Sequence, residues 1–128
     1  DYVISKVADA LNDERKSING SKILILGLAY KANVDDCRES PTFVLMEKLE
    51  SKGAVVEYND IFLPVIPSTR EHAHFTGKKS VEIEDAFDLI LVSTNHDEYK
   101  SFDFSGYSCP LVDSRNCISK KPQKYYNA

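Results

Sequence analysis

Lys22-Ile23-Leu24-Ile25-Leu26-Gly27 is the stretch on which the fold turns. It is a short apolar run, entered through Gly20-Ser21 and left through a glycine, and it has the look of a strand buried on both faces. Downstream, Ser40-Pro41 marks a helix start, with Ser as the N-cap and Pro at the first helical position. Leu45, Met46 and Leu49 supply that helix's apolar face, and Glu47, Lys48, Glu50 and Lys52 its wet one. Gly53 stops it, being able to take a left-handed conformation, and Ala54-Val55-Val56-Glu57-Tyr58 follows as a second strand. Strand, helix and strand in this order form a βαβ unit, which implies a parallel pair joined by a right-handed crossover.

Further out, Phe87 to Ser93 reads as a strand and Pro110 to Asp113 as a short last one. The stretch from Ile61 to Ser80, with Pro64, Pro67 and Gly77, is expected to be a long connection with a short strand near Val81. Ile83 to Ala86 reads as a brief helical turn, and Lys120 to Ala128 as a polar, partly disordered tail. The expected fold is α/β: a Rossmann-like open, mostly parallel sheet with helices on both faces. Upstream, Val3, Val7 and Leu11, with Ile4, Ala8 and Ala10 beside them, form an amphipathic stripe with no capping residue read in front of it. A helix entered in mid-pattern points to a piece of a longer protein. The plainer reading is an ordinary N-terminal helix that has lost its Met.

The chain has 128 residues, 42% hydrophobic and 28% charged, which is the balance of one folded domain. Sixteen basic against twenty acidic residues leave a net charge of −4, which argues against nucleic acid or an anionic membrane as partner. No apolar run approaches the roughly 20 residues of a membrane span, and a cytoplasmic setting is expected. Three cysteines, Cys37, Cys109 and Cys117, have neither the number nor the spacing of a disulfide framework or a zinc site.

In an open α/β sheet, ligands bind beyond the carboxyl ends of the strands. Tyr30, Lys31, Asp35, Asp36 and Arg38 follow the first strand, Asn59 and Asp60 the second, Thr94, Asn95 and His96 the third, and Asp113, Ser114, Arg115 and Asn116 flank the last. Lys31, Arg38 and Arg115 give this edge local positive charge suited to a phosphate or pyrophosphate. The dinucleotide fingerprint GxGxxG is not met, because Gly27, Ala29 and Ala32 stand at its three positions. Asp60 also lies well past the ~20-residue spacing of that fingerprint's acidic residue. The domain is built like a nucleotide binder without being a dinucleotide site of the usual kind.

Several of these residues have plainer readings. Arg38 can pair with Asp35, Asp36 or Glu39, and Arg115 with Asp113. His96 reads as a loop hydrogen-bonder more readily than as a base. His72 and His74 lack a third ligand, so no metal site is expected. Asp35-Asp36 read as loop caps, with Mg²⁺ as the lesser reading.

Gly27-Leu28-Ala29-Tyr30-Lys31, followed by Asp35-Asp36-Cys37-Arg38-Glu39-Ser40-Pro41, resembles the signature of the C-terminal UDP-binding domain of NAD-dependent UDP-glucose and UDP-N-acetylhexosamine 6-dehydrogenases. The resemblance runs on through Gly53-Ala54, Tyr58-Asn59-Asp60, Ser93-Thr94-Asn95-His96 and Val112-Asp113-Ser114-Arg115-Asn116. It implies that Tyr30, Lys31 and Arg115 meet a UDP-sugar and that Arg38 extends towards NAD, a cofactor held mainly by an N-terminal domain. Residues 1–18 are then the end of a linking helix from a central domain, and residues 19–128 the UDP-sugar-binding domain. It also implies a homodimer for the whole enzyme and a place in polysaccharide biosynthesis. The overall flavour is closer to the UDP-N-acetylhexosamine branch. The family's catalytic cysteine and NAD-binding glycines have no counterpart here, so no catalytic residue is assigned and this chain alone is expected to be inactive. Cys37 is not read as a nucleophile. The alternative reading is a non-enzymatic regulatory module, either nucleotide-binding or receiver-like. Against the latter, Asn95 follows the third strand where a receiver needs a phosphorylatable Asp.

Overall fold

The computed structural model describes residues 1–128. Five strands, β1 (Lys22–Leu26), β2 (Val55–Asn59), β3 (Leu89–Val92), β4 (Leu111–Asp113) and β5 (Tyr125–Asn127), pair in the order β2-β1-β3-β4-β5. Every pairing is parallel, so the sheet is wholly rather than mostly parallel. Helix α1 (Tyr2–Asp13) precedes the sheet, α2 (Pro41–Ser51) crosses from β1 to β2, and α3 (Asp97–Ser101) follows β3.

Side chains along a strand alternate between faces, and here both faces are covered. Ile23, Ile25, Val56, Tyr58, Leu89, Leu91 and Val112 pack against Val7 and Leu11 of α1 and Phe43, Met46 and Leu49 of α2. Leu24, Leu26, Ile90, Val92 and Leu111 point the other way, onto Tyr99 of α3, Phe104 and Ile118. That two-sided burial is why β1 and β3 read as continuous apolar runs. Helix α2 starts where its cap signal lies, with the Ser40 hydroxyl accepting the Thr42 N–H at 3.2 Å.

Four local expectations need correction. Helix α1 does have a cap: the Asp1 carboxylate accepts the Val3 N–H at 2.9 Å, so the stripe is not entered uncapped. No strand forms near Val81, whose N–H instead donates to the Tyr58 carbonyl, while Val65 and Lys79 make an isolated antiparallel bridge. Ile83 to Ala86 form no helical turn; Asp85 there accepts the Ser108 N–H at 2.8 Å. The tail is not loose. Residues 125–127 are an edge strand, with the Tyr125 hydroxyl on Asp113 at 2.8 Å and the Tyr126 hydroxyl on Asp13 at 2.6 Å.

Candidate functional site

The chain leaves β1 through α2 on one face and β3 through α3 on the other, moving to opposite sides of the sheet. The crevice at the β1/β3 switch point is therefore where a ligand is expected in a sheet of this order. In this protein the deepest part of it is filled by the chain's own side chains.

Asp60, just past β2, is fully buried and its carboxylate gathers four donors: Leu28 N–H at 2.8 Å, Ala29 N–H at 3.0 Å, Phe62 N–H at 2.9 Å and His96 Nε2 at 2.9 Å. His96, equally buried, accepts the Asn33 N–H on Nδ1 at 2.8 Å. A ring nitrogen that accepts carries no proton, so the imidazole proton sits on Nε2 and is donated to Asp60. Burial alone would push the Asp60 pKa up. The His96 hydrogen bond and the Leu28 and Ala29 N–H groups more than offset this and hold it below the ordinary carboxylate value.

This arrangement explains why the fingerprint fails. The backbone N–H groups after β1 that would cradle a pyrophosphate are committed to an internal carboxylate. The second glycine position, where backbone would approach a pyrophosphate, carries Ala29, and the first, Gly27 (φ +98°), is closed against Thr94, whose Cβ would stand 2.3 Å from an added Cβ. Thr94 is fixed there by donating its hydroxyl to the Ala29 carbonyl at 2.8 Å. The turn after β1 thus does not fit the pyrophosphate of NAD.

The charged candidates lie around this plug, on the same carboxyl edge. Tyr30 and Lys31 are exposed at the end of β1, with Lys31 Nζ 5.5 Å from the Tyr30 ring centroid. Arg115 is exposed after β4. Asp113 binds only its backbone N–H, at 3.1 Å, and also takes the Cys117 and Ile118 N–H groups and the Tyr125 hydroxyl, so the guanidinium is not engaged by this carboxylate. Arg38 is paired: its Nε and Nη2 grip Asp36 at 3.0 and 2.8 Å, and these bonds pull the Asp36 carboxyl down to about 2. The Arg38 side chain is nevertheless 86% exposed, so this pair adds little to stability and leaves the guanidinium reachable. Asn33 (φ +61°), Glu39 (φ +59°) and Asn116 (φ +54°) hold left-handed backbone conformations in these two loops, a strain often found where loops carry function.

Arg38 also lines a cleft of about 630 Å³ between the start of α2 and the 68–72 segment, with Arg70 and His72 on the far wall. His72 stacks on Phe43 at 4.7 Å with Glu47 beside it, which makes it a packing residue of α2, while His74 lies against Phe75. Cys37 is buried and burial raises its thiol pKa, the opposite of what activates a nucleophile. Burial likewise pushes Cys109 up to about 12 and Cys117 up to about 11. Sequence reasoning missed the partnership of Asp60, Asn33 and His96. The available signals were an Asp directly after a buried strand and an Asn in a loop that needs left-handed backbone.

Residues 24–120 match the UDP-binding domain of the UDP-glucose/GDP-mannose dehydrogenase family. The chain is 33% identical over 123 residues to the UDP-N-acetyl-D-mannosamine dehydrogenase of Methanocaldococcus jannaschii, covering 96% of this chain and 24% of that protein. It is 31% identical over 129 residues to the UDP-glucose 6-dehydrogenase of Rickettsia felis, covering 95% of this chain and 28% of the relative. Among solved structures, it superimposes on the UDP-N-acetyl-mannosamine dehydrogenase Cap5O of S. aureus with a TM-score of 0.69 at 26% identity, over 98% of this chain and 29% of the other. The fold is also shared with the UDP-D-ManNAc dehydrogenase of Pyrococcus horikoshii, at a TM-score of 0.77 and 21% identity, again over 98% of this chain and 29% of that one. The chain therefore spans 24% to 29% of the length of these proteins.

Proposed function

We propose, because this chain belongs to the UDP-glucose/GDP-mannose dehydrogenase family and is its UDP-binding domain, that it holds the nucleotide half of a UDP-sugar while other parts of a longer enzyme oxidise the sugar C6 alcohol with NAD. Helix α1, which ends at Asp13 rather than running to residue 18, is the end of a linking helix from a central domain, residues 14–18 lead out of it, and residues 19–128 are the binding domain. Tyr30, Lys31 and Arg115 meet the UDP-sugar. Arg38 reaches towards NAD, which is held mainly by an N-terminal domain. The name of the M. jannaschii relative supports a UDP-N-acetylhexosamine as the substrate. The whole enzyme acts as a homodimer in the cytoplasm; no helix of this chain is long and apolar enough to cross a membrane. This chain alone carries no nicotinamide site and no activated nucleophile, and is inactive by itself.

The observation that carries the reading is the placing of Lys31 and Arg115 after β1 and β4, the two strands that flank β3, on one edge of a parallel sheet. Lys31 offers a point charge to phosphate, whereas Arg115 offers a fork that Lys does not reproduce. In the full-length enzyme, Arg115→Lys is expected to weaken UDP binding by about 1–3 kcal/mol, roughly five- to 150-fold. Lys31→Arg should cost less. Calorimetry with UDP measures both, with circular dichroism as the check on folding. Unchanged affinity in a folded Arg115→Lys protein would remove Arg115 from the site.

A further inference from the structure

We propose that His96 is a positioning residue for the UDP grip: through Asn33, it sets where Tyr30 and Lys31 stand. The inference rests on the reading that those two residues hold UDP. The segment between Ala29 and Asn33 is pinned at both ends by one buried pair. Asp60 takes the Leu28 and Ala29 N–H groups at 2.8 and 3.0 Å, and His96, bound to Asp60 at 2.9 Å, takes the Asn33 N–H at 2.8 Å. Tyr30, Lys31 and Ala32 are all that lies between those anchors.

Asn33 is clasped a second time, its Oδ1 accepting the Asp97 N–H at 3.0 Å, so the loop is fastened by two bonds to His96 and to Asp97, the first residue of α3. The ring itself cannot drift. It has no exposed surface, and it lies between Phe62, with centroids 4.9 Å apart, and Tyr99, at 5.5 Å. Tyr99 is in turn tied by its hydroxyl to the Asn59 carbonyl at 2.7 Å. A rigid, buried imidazole thus ends in a single acceptor aimed at an exposed loop. Preorganising an exposed loop lowers the ordering cost of binding.

The two ring nitrogens separate positioning from plain structural support. In His96→Asn the amide oxygen can stand in for Nδ1 and keep the Asn33 contact while losing Asp60. In His96→Gln the amide N–H can stand in for Nε2 and keep Asp60 while losing Asn33. In the full-length enzyme, His96→Gln is expected to weaken UDP binding about tenfold and His96→Asn less than about threefold, the tenfold loss being that of one net hydrogen bond. Equal losses in the two variants, or undiminished affinity in His96→Gln, would overturn the inference. Lys31→Ala serves as the reference. If it weakens UDP binding while His96→Gln does not, only the positioning role fails; if Lys31→Ala changes nothing, the loop is not the UDP grip and both readings fall. Should His96→Gln not fold, amide hydrogen exchange in the folded wild-type enzyme asks the same question at the bond itself: an Asn33 N–H protected from exchange by His96 Nδ1 supports the inference, and one exchanging at the rate of an open loop overturns it.

Discussion

Asp60→Ala should lower the unfolding free energy by about 3–5 kcal/mol, since leaving one buried donor without its acceptor costs about 1–3 kcal/mol and several donors converge on this carboxylate. The change orphans three backbone N–H groups and strips His96 Nε2 of its acceptor, all at the inner end of the switch-point crevice. Urea unfolding of the chain measures it, and a loss below about 1 kcal/mol would mean that water or rearrangement replaces the carboxylate. The same group shapes the acid limb. Because its folded pKa lies below the unfolded value of about 3.9, Asp60 stabilises the fold above that pH, and the contribution fades as pH falls through the folded pKa. Asp60→Asn should therefore flatten the loss of stability below about pH 4, while costing stability at neutral pH because its amide N–H₂ confronts other donors.

Gly27→Ala is the second large effect, expected at about 3 kcal/mol or more. Two penalties combine, a non-glycine residue at φ +98° and a Cβ placed 2.3 Å from Thr94 Cβ and 2.8 Å from the Thr94 backbone N. Backbone cannot swing aside as a flexible side chain would, so β1 and β3 must part at their carboxyl ends. Thr94 would then lose its bond to the Ala29 carbonyl, and the loop carrying Tyr30 would be disturbed with it. Gly77→Ala is the control, since φ is +86° there but nothing lies within 4 Å of the added carbon. It should cost only backbone strain, about 1 kcal/mol. Equal melting temperatures for the two variants would show that the approach to Thr94 is not tight.

What was legible beforehand was what local rules control. Lys22 to Leu26 and Pro41 to Ser51 lie where the sequence puts a strand and a helix, because β1 is apolar from Ile23 to Leu26 and Ser40-Pro41 carries its own start signal. Helix α3 spans five residues and β5 three, too few for periodicity to register. β5 is held by partners far away in sequence, Tyr125 on Asp113 and Tyr126 on Asp13.

By itself, then, the sequence determined a parallel α/β sheet and a set of polar residues at its carboxyl edge, since burial on both faces and a βαβ crossover follow from neighbouring residues. It also determined, through Ala29 and Ala32, that no ordinary dinucleotide cradle follows β1. Only the tertiary structure decided what fills that cradle. Asp60 and His96 are 36 positions apart and His96 and Asn33 are 63, and they meet because β2, β1 and β3 are neighbours in the sheet. A carboxylate after a strand can face solvent, a metal or a ligand equally well. Here the strand order delivers backbone N–H groups and an imidazole to it, so the carboxylate is spent inside the protein.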